Sequence, residues 1–395
     1  MLFFRIDSKE EITLRVKQII NRKPADLAAA ATALEGLDTD LLLVFGSIDH
    51  FSFPGMGQFL QNAFPHSILL GCSTAGEITP DGVDDGTCTI TAIDFAQTPL
   101  TSGSTTLDGM DDSFNAGERL GRQIADADLK AVLVFGPGVQ INGSALVNGM
   151  ASAIGSGIPI TGGLAGDGGA FKETFTLGPD GIANNKVVAV GLCGEKLHFG
   201  HGSFGGWEPF GPARKVTRCS GNILHELDGE PALEIYKRYL GDHAKGLPAS
   251  GLLFPFAMLG EDHNAIGLIR TILGIDEETG SLILAGEIDP DGYLRLMHAS
   301  TDKLVNGAEA AAEAAAAMLQ STGDTLALLV SCVGRKLVMG NRVDEEVEAV
   351  GDVFGNKAAL TGFYSYGEIS PFTPGASCKL HNQTMTITCL SESPA

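Results

Sequence analysis

Gly362-Phe363-Tyr364-Ser365-Tyr366-Gly367-Glu368-Ile369 decides how this chain is read. It follows the apolar Ala358-Ala359-Leu360, so an apolar run stops at glycine and passes through small and aromatic residues to Gly-Glu. That order predicts a strand ending in a tight loop. The same grammar stands at Gly71-Cys72-Ser73-Thr74-Ala75-Gly76-Glu77-Ile78, and a looser copy at Gly162-Gly163-Leu164-Ala165-Gly166-Asp167. Three glycine-then-acid loops imply one structural unit used repeatedly.

Outward from each loop the surroundings also repeat. Residues 41–47, 131–136 and 326–332 are apolar runs that read as strands buried on both faces. Helices are expected over 57–64, 144–156 and 344–354, and second strands over 67–72, 158–161 and 358–363. Alternation at 88–95 and 383–390 predicts half-buried closing strands. In the second copy, 171–177 and 186–193 read as antiparallel strands around the turn at Pro179-Asp180-Gly181. Strand–helix–strand implies parallel pairs, with the return strand added antiparallel. The fold class is therefore α/β, with mixed sheets built from repeated strand–helix–strand–loop–strand units, in two domains.

Outside the repeats, residues 8–35 read as helical, capped by Ser8 with Glu11 and interrupted at Pro24. Residues 198–212 are rich in glycine and aromatics and carry the only tryptophan, Trp207. A hairpin over 215–227, a helix over 230–240, a three-stranded meander over 266–298 and an alanine-rich helix over 308–320 follow. The boundary is placed near residue 220, giving domains 1–220 and 221–395.

The chain has 395 residues and a formal charge of −22, which argues against nucleic acid and against an anionic membrane surface. Its start becomes charged too soon for a signal peptide, and no apolar stretch is long enough to span a membrane. Seven cysteines without a Cys-x-x-Cys pair read as reduced thiols in a cytoplasmic protein. The 52 glycines lie in no low-complexity tract, so they are expected in turns and close backbone approaches.

The loop motif of residues 71–78 resembles the signature of the N-terminal half of the FIST family (F-box and intracellular signal transduction proteins). The C-terminal half is matched by Gly334-Arg335, Glu345-Glu346-Val347, residues 362–369 and His381-Asn382-Gln383-Thr384. Gly206-Trp207 with Pro209 and Leu227-Asp228-Gly229-Glu230-Pro231-Ala232 are further landmarks, so the resemblance runs from about Leu41 to Leu390. It implies a stand-alone bacterial sensory protein that binds a small ligand and signals to a separate partner. Some stand-alone bacterial members that it resembles in layout are haem-based nitric oxide sensors that modulate histidine kinases or cyclic-di-GMP enzymes.

The residues leave several chemistries open. Glu77, Asp167 and Glu368 either cap backbone N–H groups in their own turns or face a shared cleft and accept from a ligand. Tyr364 and Tyr366 either pack or offer a ligand an apolar face with a polar tip. With Cys72, Ser73, Thr74 and Trp207 these make up the expected ligand-binding set. Haem b, held non-covalently, needs an axial ligand, and His198 and His201 among Phe199, Phe204 and Trp207 are the candidates. The rival is an amino-acid-like metabolite without haem. A hydrolase is the remote alternative, because Gly71–Gly76 nearly matches a nucleophile elbow; so is a thiol enzyme using Cys72. No metal-ligand spacing is present.

Overall fold

In the computed structural model, residues 14–34, 38–319, 325–355, 358–372, 375 and 377–393 are described. The repeats become three structural units, each centred on a six-stranded mixed sheet with the same spatial order of equivalent strands. In the first unit Leu41–Gly46 pairs in parallel with Ile68–Ser73 and antiparallel with the closing Cys88–Asp94. The second unit repeats this with Leu129–Gly136, Ile160–Leu164 and Lys186–Cys193, the third with Thr325–Cys332, Ala358–Ser365 and Met385–Glu392.

The short strand after each loop leaves its own sheet and joins a neighbour's. Glu77–Thr79 pairs with the third unit's Ala358–Ser365, Thr176–Gly178 with the first unit's Ile68–Ser73, and Gly367–Pro371 with the second unit's Ile160–Leu164. The three exchanges close a ring, so no unit has a complete sheet by itself. A glycine sits at the same place in each parallel pair for a steric reason. A Cβ on Gly71, Gly162 or Gly362 would fall 1.9 Å from the carbonyl oxygen of Val44, Val134 or Leu329.

The inner faces of the three sheets meet in one core. Phe45, Phe135 and Phe363, one from each unit, touch there with ring centroids 4.8–5.6 Å apart. The outer faces are covered by helices, among them Ser113–Ile124 against Gly143–Ile154 and Thr301–Ala317 beside Asp344–Phe354. Inward and outward burial together explain why the central strands are continuous apolar runs.

The region of changed texture is a separate antiparallel body inserted between the third unit's first strand, Leu197–Phe204, and its first helix, Thr301–Ala317. Its nine-stranded sheet packs on the helix Ala232–Leu240 around Leu224, Leu233, Tyr236 and Leu282. Residue 220 is the last strand residue before the turn of a hairpin of this body, Arg214–Ser220 with Ile223–Leu227.

Several elements differ from expectation. Residues 15–21 form a strand, Arg15–Asn21, paired with Cys88–Asp94, where a helix was expected. Val16, Ile19 and Ile20 are β-branched and lie along an open sheet edge, and pairing there overrides the local capping pattern. Helix forms only at Leu27–Ala31 after the Pro24 break, and the cap at Ser8 and Glu11 lies outside the described residues. Of the expected strand at 171–177 only Thr176 and Leu177 are extended, in the strand Thr176–Gly178, which turns into Gly181–Ala183 instead of pairing with Lys186–Cys193. The expected meander has four strands, and Ala265–Arg270 pairs with Phe256–Leu259.

Candidate functional site

The three loops lie next to one another because each is hydrogen-bonded to a strand of another unit. Ala75 N–H donates to the Tyr364 carbonyl and Tyr364 N–H to that of Gly76, both at 2.8 Å. Gly166 N–H donates to the Ser73 carbonyl at 2.8 Å, and Tyr366 N–H to that of Leu164 at 3.1 Å.

The first and third loops are built alike down to single atoms. The Thr74 hydroxyl donates to Glu77 Oε1, and Thr87 donates to Glu77 Oε2 from its N–H and hydroxyl, both at 2.9 Å. The Ser365 hydroxyl donates to Glu368 Oε1 at 2.7 Å, and Thr384 donates to Glu368 Oε2 from its N–H at 3.1 Å and hydroxyl at 2.8 Å. Each glutamate thus ties its loop to the threonine just before its closing strand. Burial pushes both carboxyls up to about 7, although these bonds favour the charged form.

The second loop uses other chemistry. Asp167 accepts from the N–H groups of Phe171, Lys172 and Glu173 at 2.7–3.1 Å and from the Tyr366 hydroxyl. Burial raises this carboxyl, but the bonds from Tyr366 and the three N–H groups outweigh it and hold it below its ordinary value. The Tyr366 ring stacks on Phe171 with centroids 4.0 Å apart.

A cleft of about 650 Å³ opens where the first and second loops meet the residues that follow the first-unit and third-unit strands, Ser47–Asp49 and Val333–Leu337. This is the crevice outside the carboxyl ends of parallel strands, where α/β sheets commonly bind ligands. Thr74, Glu77 and Asp167 border it, together with Asp49, Asp85, Phe171 and Lys336. Lys336 donates to the Ala75 carbonyl at 2.9 Å, pairs with Asp85 and stands 5.5 Å from the Tyr364 ring centroid. Gly76 leaves room for it, since a Cβ there would lie 2.5 Å from Nζ.

The other expected residues lie elsewhere. Cys72 is in the central core, where burial raises its thiol well above the ordinary value, so it offers no thiolate. Ser73 is buried, donating to the Gly166 carbonyl and accepting from Phe175 N–H. Tyr364 donates to Glu346, which also accepts from Ser331 and pairs with the fully buried Arg335 at 2.6 Å. Glu368 is buried behind the third loop, and Trp207 donates its indole N–H to the Gln383 carbonyl at 2.8 Å. Sequence reasoning missed Lys336, Asp49 and Asp85; Lys336 is adjacent to the quoted Gly334-Arg335, which was its one signal.

His198 and His201 lie on one strand of the third unit. They are three residues apart on the strand Leu197–Phe204 and so point to opposite faces. His198 bonds the Ser393 hydroxyl at 2.6 Å, while His201 is buried where Gly200 and Gly202 press against the carbonyls of Ala315 and Ala311. Neither borders the cleft, and among the described residues no group of three His, Cys, Asp or Glu could hold a metal ion. No helix among the described residues is long and apolar enough to cross a membrane.

The repeated α/β units, the loop ring and the inserted body define a two-domain α/β chain. The FIST N domain matches residues 40–230 and the FIST C domain residues 232–371. The chain belongs to the FIST family, whose domains serve sensory signal transduction. It is similar to the uncharacterized protein MJ1623 of Methanocaldococcus jannaschii, with 36% identity over 92 residues, or 22% of this chain and 17% of that protein. Solved structures resemble it loosely. The cyanuric acid hydrolase of A. caulinodans gives a TM-score of 0.41 at 10% identity, covering 96% of this chain and 99% of that one. PurLQS of Thermotoga maritima gives 0.21 at 9%, covering 97% and 73%. Neither bears on fold or activity.

Proposed function

We propose that the chain is a sensor of a small zwitterionic, amino-acid-like metabolite, held in the cleft between the first two loops and the third unit. The observation that carries this reading is the cleft's charge arrangement. Among the described residues one ammonium, Lys336, borders the cleft with Asp49 and Asp85, while Glu77 and Asp167 are taken up by hydrogen bonds within their own loops. Lys336 would take a ligand carboxylate, and Asp49 with Asp85 its ammonium. Loops of two units and the helix Val333–Met339 of the third would close on one molecule, so binding would be felt around the ring. A separate signalling enzyme, such as a histidine kinase or a cyclic-di-GMP enzyme, would read that change.

A thermal-shift screen of free amino acids tests this, since a ligand that binds only the folded chain must raise Tm. The rise is expected to vanish in Lys336→Met and persist in Glu368→Gln. No rise with any amino acid would sink the reading. The haem version has its own check, a Soret band in protein from haem-supplemented cells that His198→Ala or His201→Ala removes.

A further inference from the structure

Arg270 ends the strand Ala265–Arg270 of the inserted body and is only 4% exposed. Its Nε donates to the Glu287 carbonyl at 3.0 Å and its Nη1 to the Ile269 carbonyl at 3.2 Å. Among the described residues no carboxylate lies within ion-pair distance of it, unlike the fully buried Arg335 with its Glu346. Burial pushes its guanidinium down to about 10, with the Glu287 charge acting the other way from beyond ion-pair reach. Buried charges are ordinarily paired, because an uncompensated one costs several kcal/mol. This cation lacks its anion.

Space for one is present. Arg270 borders a cavity of about 220 Å³ in the seam between the inserted body and the second unit. A second cavity of about 150 Å³ adjoins it, the two sharing Glu287 and Leu380 in their walls. The second is mainly apolar, with Leu164, Leu284 and Leu380, but it also receives Asn382. Asn382 is 2% exposed; its Nδ2 donates to the His381 carbonyl, and its Oδ1 has no partner among the described residues. An unpaired guanidinium and an unpaired amide oxygen, on two different bodies, thus face one seam.

We propose that this seam is a second binding site, for a small organic carboxylate with a short apolar tail. Arg270 receives the carboxylate, which supplies the missing counter-charge. The tail enters the cavity of Leu164, Leu284 and Leu380, where Asn382 Oδ1 accepts a donor if the tail carries one. Because Arg270 belongs to the inserted body and Asn382 to the three-unit ring, the ligand fastens one to the other. The site shares no residue with the cleft at Lys336 and does not rest on that reading.

The test is a thermal shift of the full chain with butyrate, against butanol, butylammonium and inorganic phosphate. Butyrate alone is expected to give a dose-dependent rise in Tm. Ser144→Phe, which fills the first cavity from a half-buried position, should abolish the rise while the unliganded Tm holds. Glu287→Gln, which removes a negative charge from the shared wall, should tighten butyrate several-fold by calorimetry. Lys336→Met should leave butyrate binding intact, which separates this site from the cleft. Equal shifts with butanol or phosphate, or an undiminished butyrate shift in Ser144→Phe, would overturn the proposal. So would the absence of any butyrate shift.

Discussion

Tyr366 of the third unit donates its hydroxyl to Asp167 of the second, and the same oxygen accepts from the N–H groups of Asp167 at 3.2 Å and Gly169 at 2.9 Å. One phenol therefore holds the second loop that walls the cleft. Tyr366→Phe keeps the stack on Phe171 and removes only the oxygen. Leaving a buried carboxylate short of a donor costs about 1–3 kcal/mol. Urea denaturation is expected to show that loss, and amide exchange should speed up at Gly169 and Phe171. Unchanged exchange there would mean that the loop holds its shape without Tyr366.

The three strand glycines give a steric prediction. Gly71→Ala, Gly162→Ala and Gly362→Ala each drive a methyl group into a backbone carbonyl of the neighbouring parallel strand, which cannot rotate away. Each should cost 3 kcal/mol or more, at or beyond the upper end of overpacking effects. Gly157→Ala is the control, since a Cβ there meets nothing within 4 Å and φ is unexceptional. It should be neutral or gain about 0.4–1 kcal/mol by restricting the unfolded chain. Melting temperatures of the four variants decide the matter.

These glycines also show what the sequence made legible. The apolar runs, the glycine at each strand end and the following acid were visible as a threefold grammar because each obeys a local rule. The exchange of return strands was not visible, since nothing in Glu77–Thr79 states that its partner is Ala358–Ser365, nearly 300 residues away. Nor could one sequence tell that Glu77 borders the cleft while the chemically matched Glu368 lies sealed behind its loop. The strand Arg15–Asn21 was lost for a related reason: its stability comes from a partner strand, not from its own pattern.

Arg335 and Glu346 form a buried pair in which the guanidinium also donates to the Leu304 carbonyl at 2.8 Å and to that of Gly205. Removing either partner strands a charge in the core. Glu346→Gln should therefore cost about 3–5 kcal/mol, and Arg335→Met a similar amount. The double variant should cost clearly less than the sum, because no lone charge remains. Tyr364→Phe, which takes one donor from Glu346, should cost about 1 kcal/mol. Chemical denaturation of the four proteins gives the coupling directly, and additive losses would show that the pair is not a unit.

Glu368 gives a pH prediction whose sign follows from its burial. Its folded carboxyl is pushed up to about 7 from an ordinary 4.5, so between those values the folded chain holds a proton that the unfolded chain has lost. Stability from this group is therefore fully present below about pH 4.5 and lost as pH rises towards 7. His381 works in the opposite direction, since burial lowers its imidazole to about 4, and its contribution grows as pH rises from 4 to 6.5. The whole protein's profile mixes these with Glu77, which burial also raises to about 7, so the informative quantity is the difference between wild type and Glu368→Gln. The glutamine can keep both bonds from Thr384 on its oxygen and turn its amide towards the Ser365 hydroxyl. Relative to wild type, the variant should gain about 3 kcal/mol as pH goes from 4.5 to 7 and nothing further above that. Denaturation midpoints at pH 4.5, 6 and 8 measure it. A difference that stays flat across this window would mean that Glu368 titrates at its ordinary value in the folded protein, with Ser365 and Thr384 fully compensating its burial.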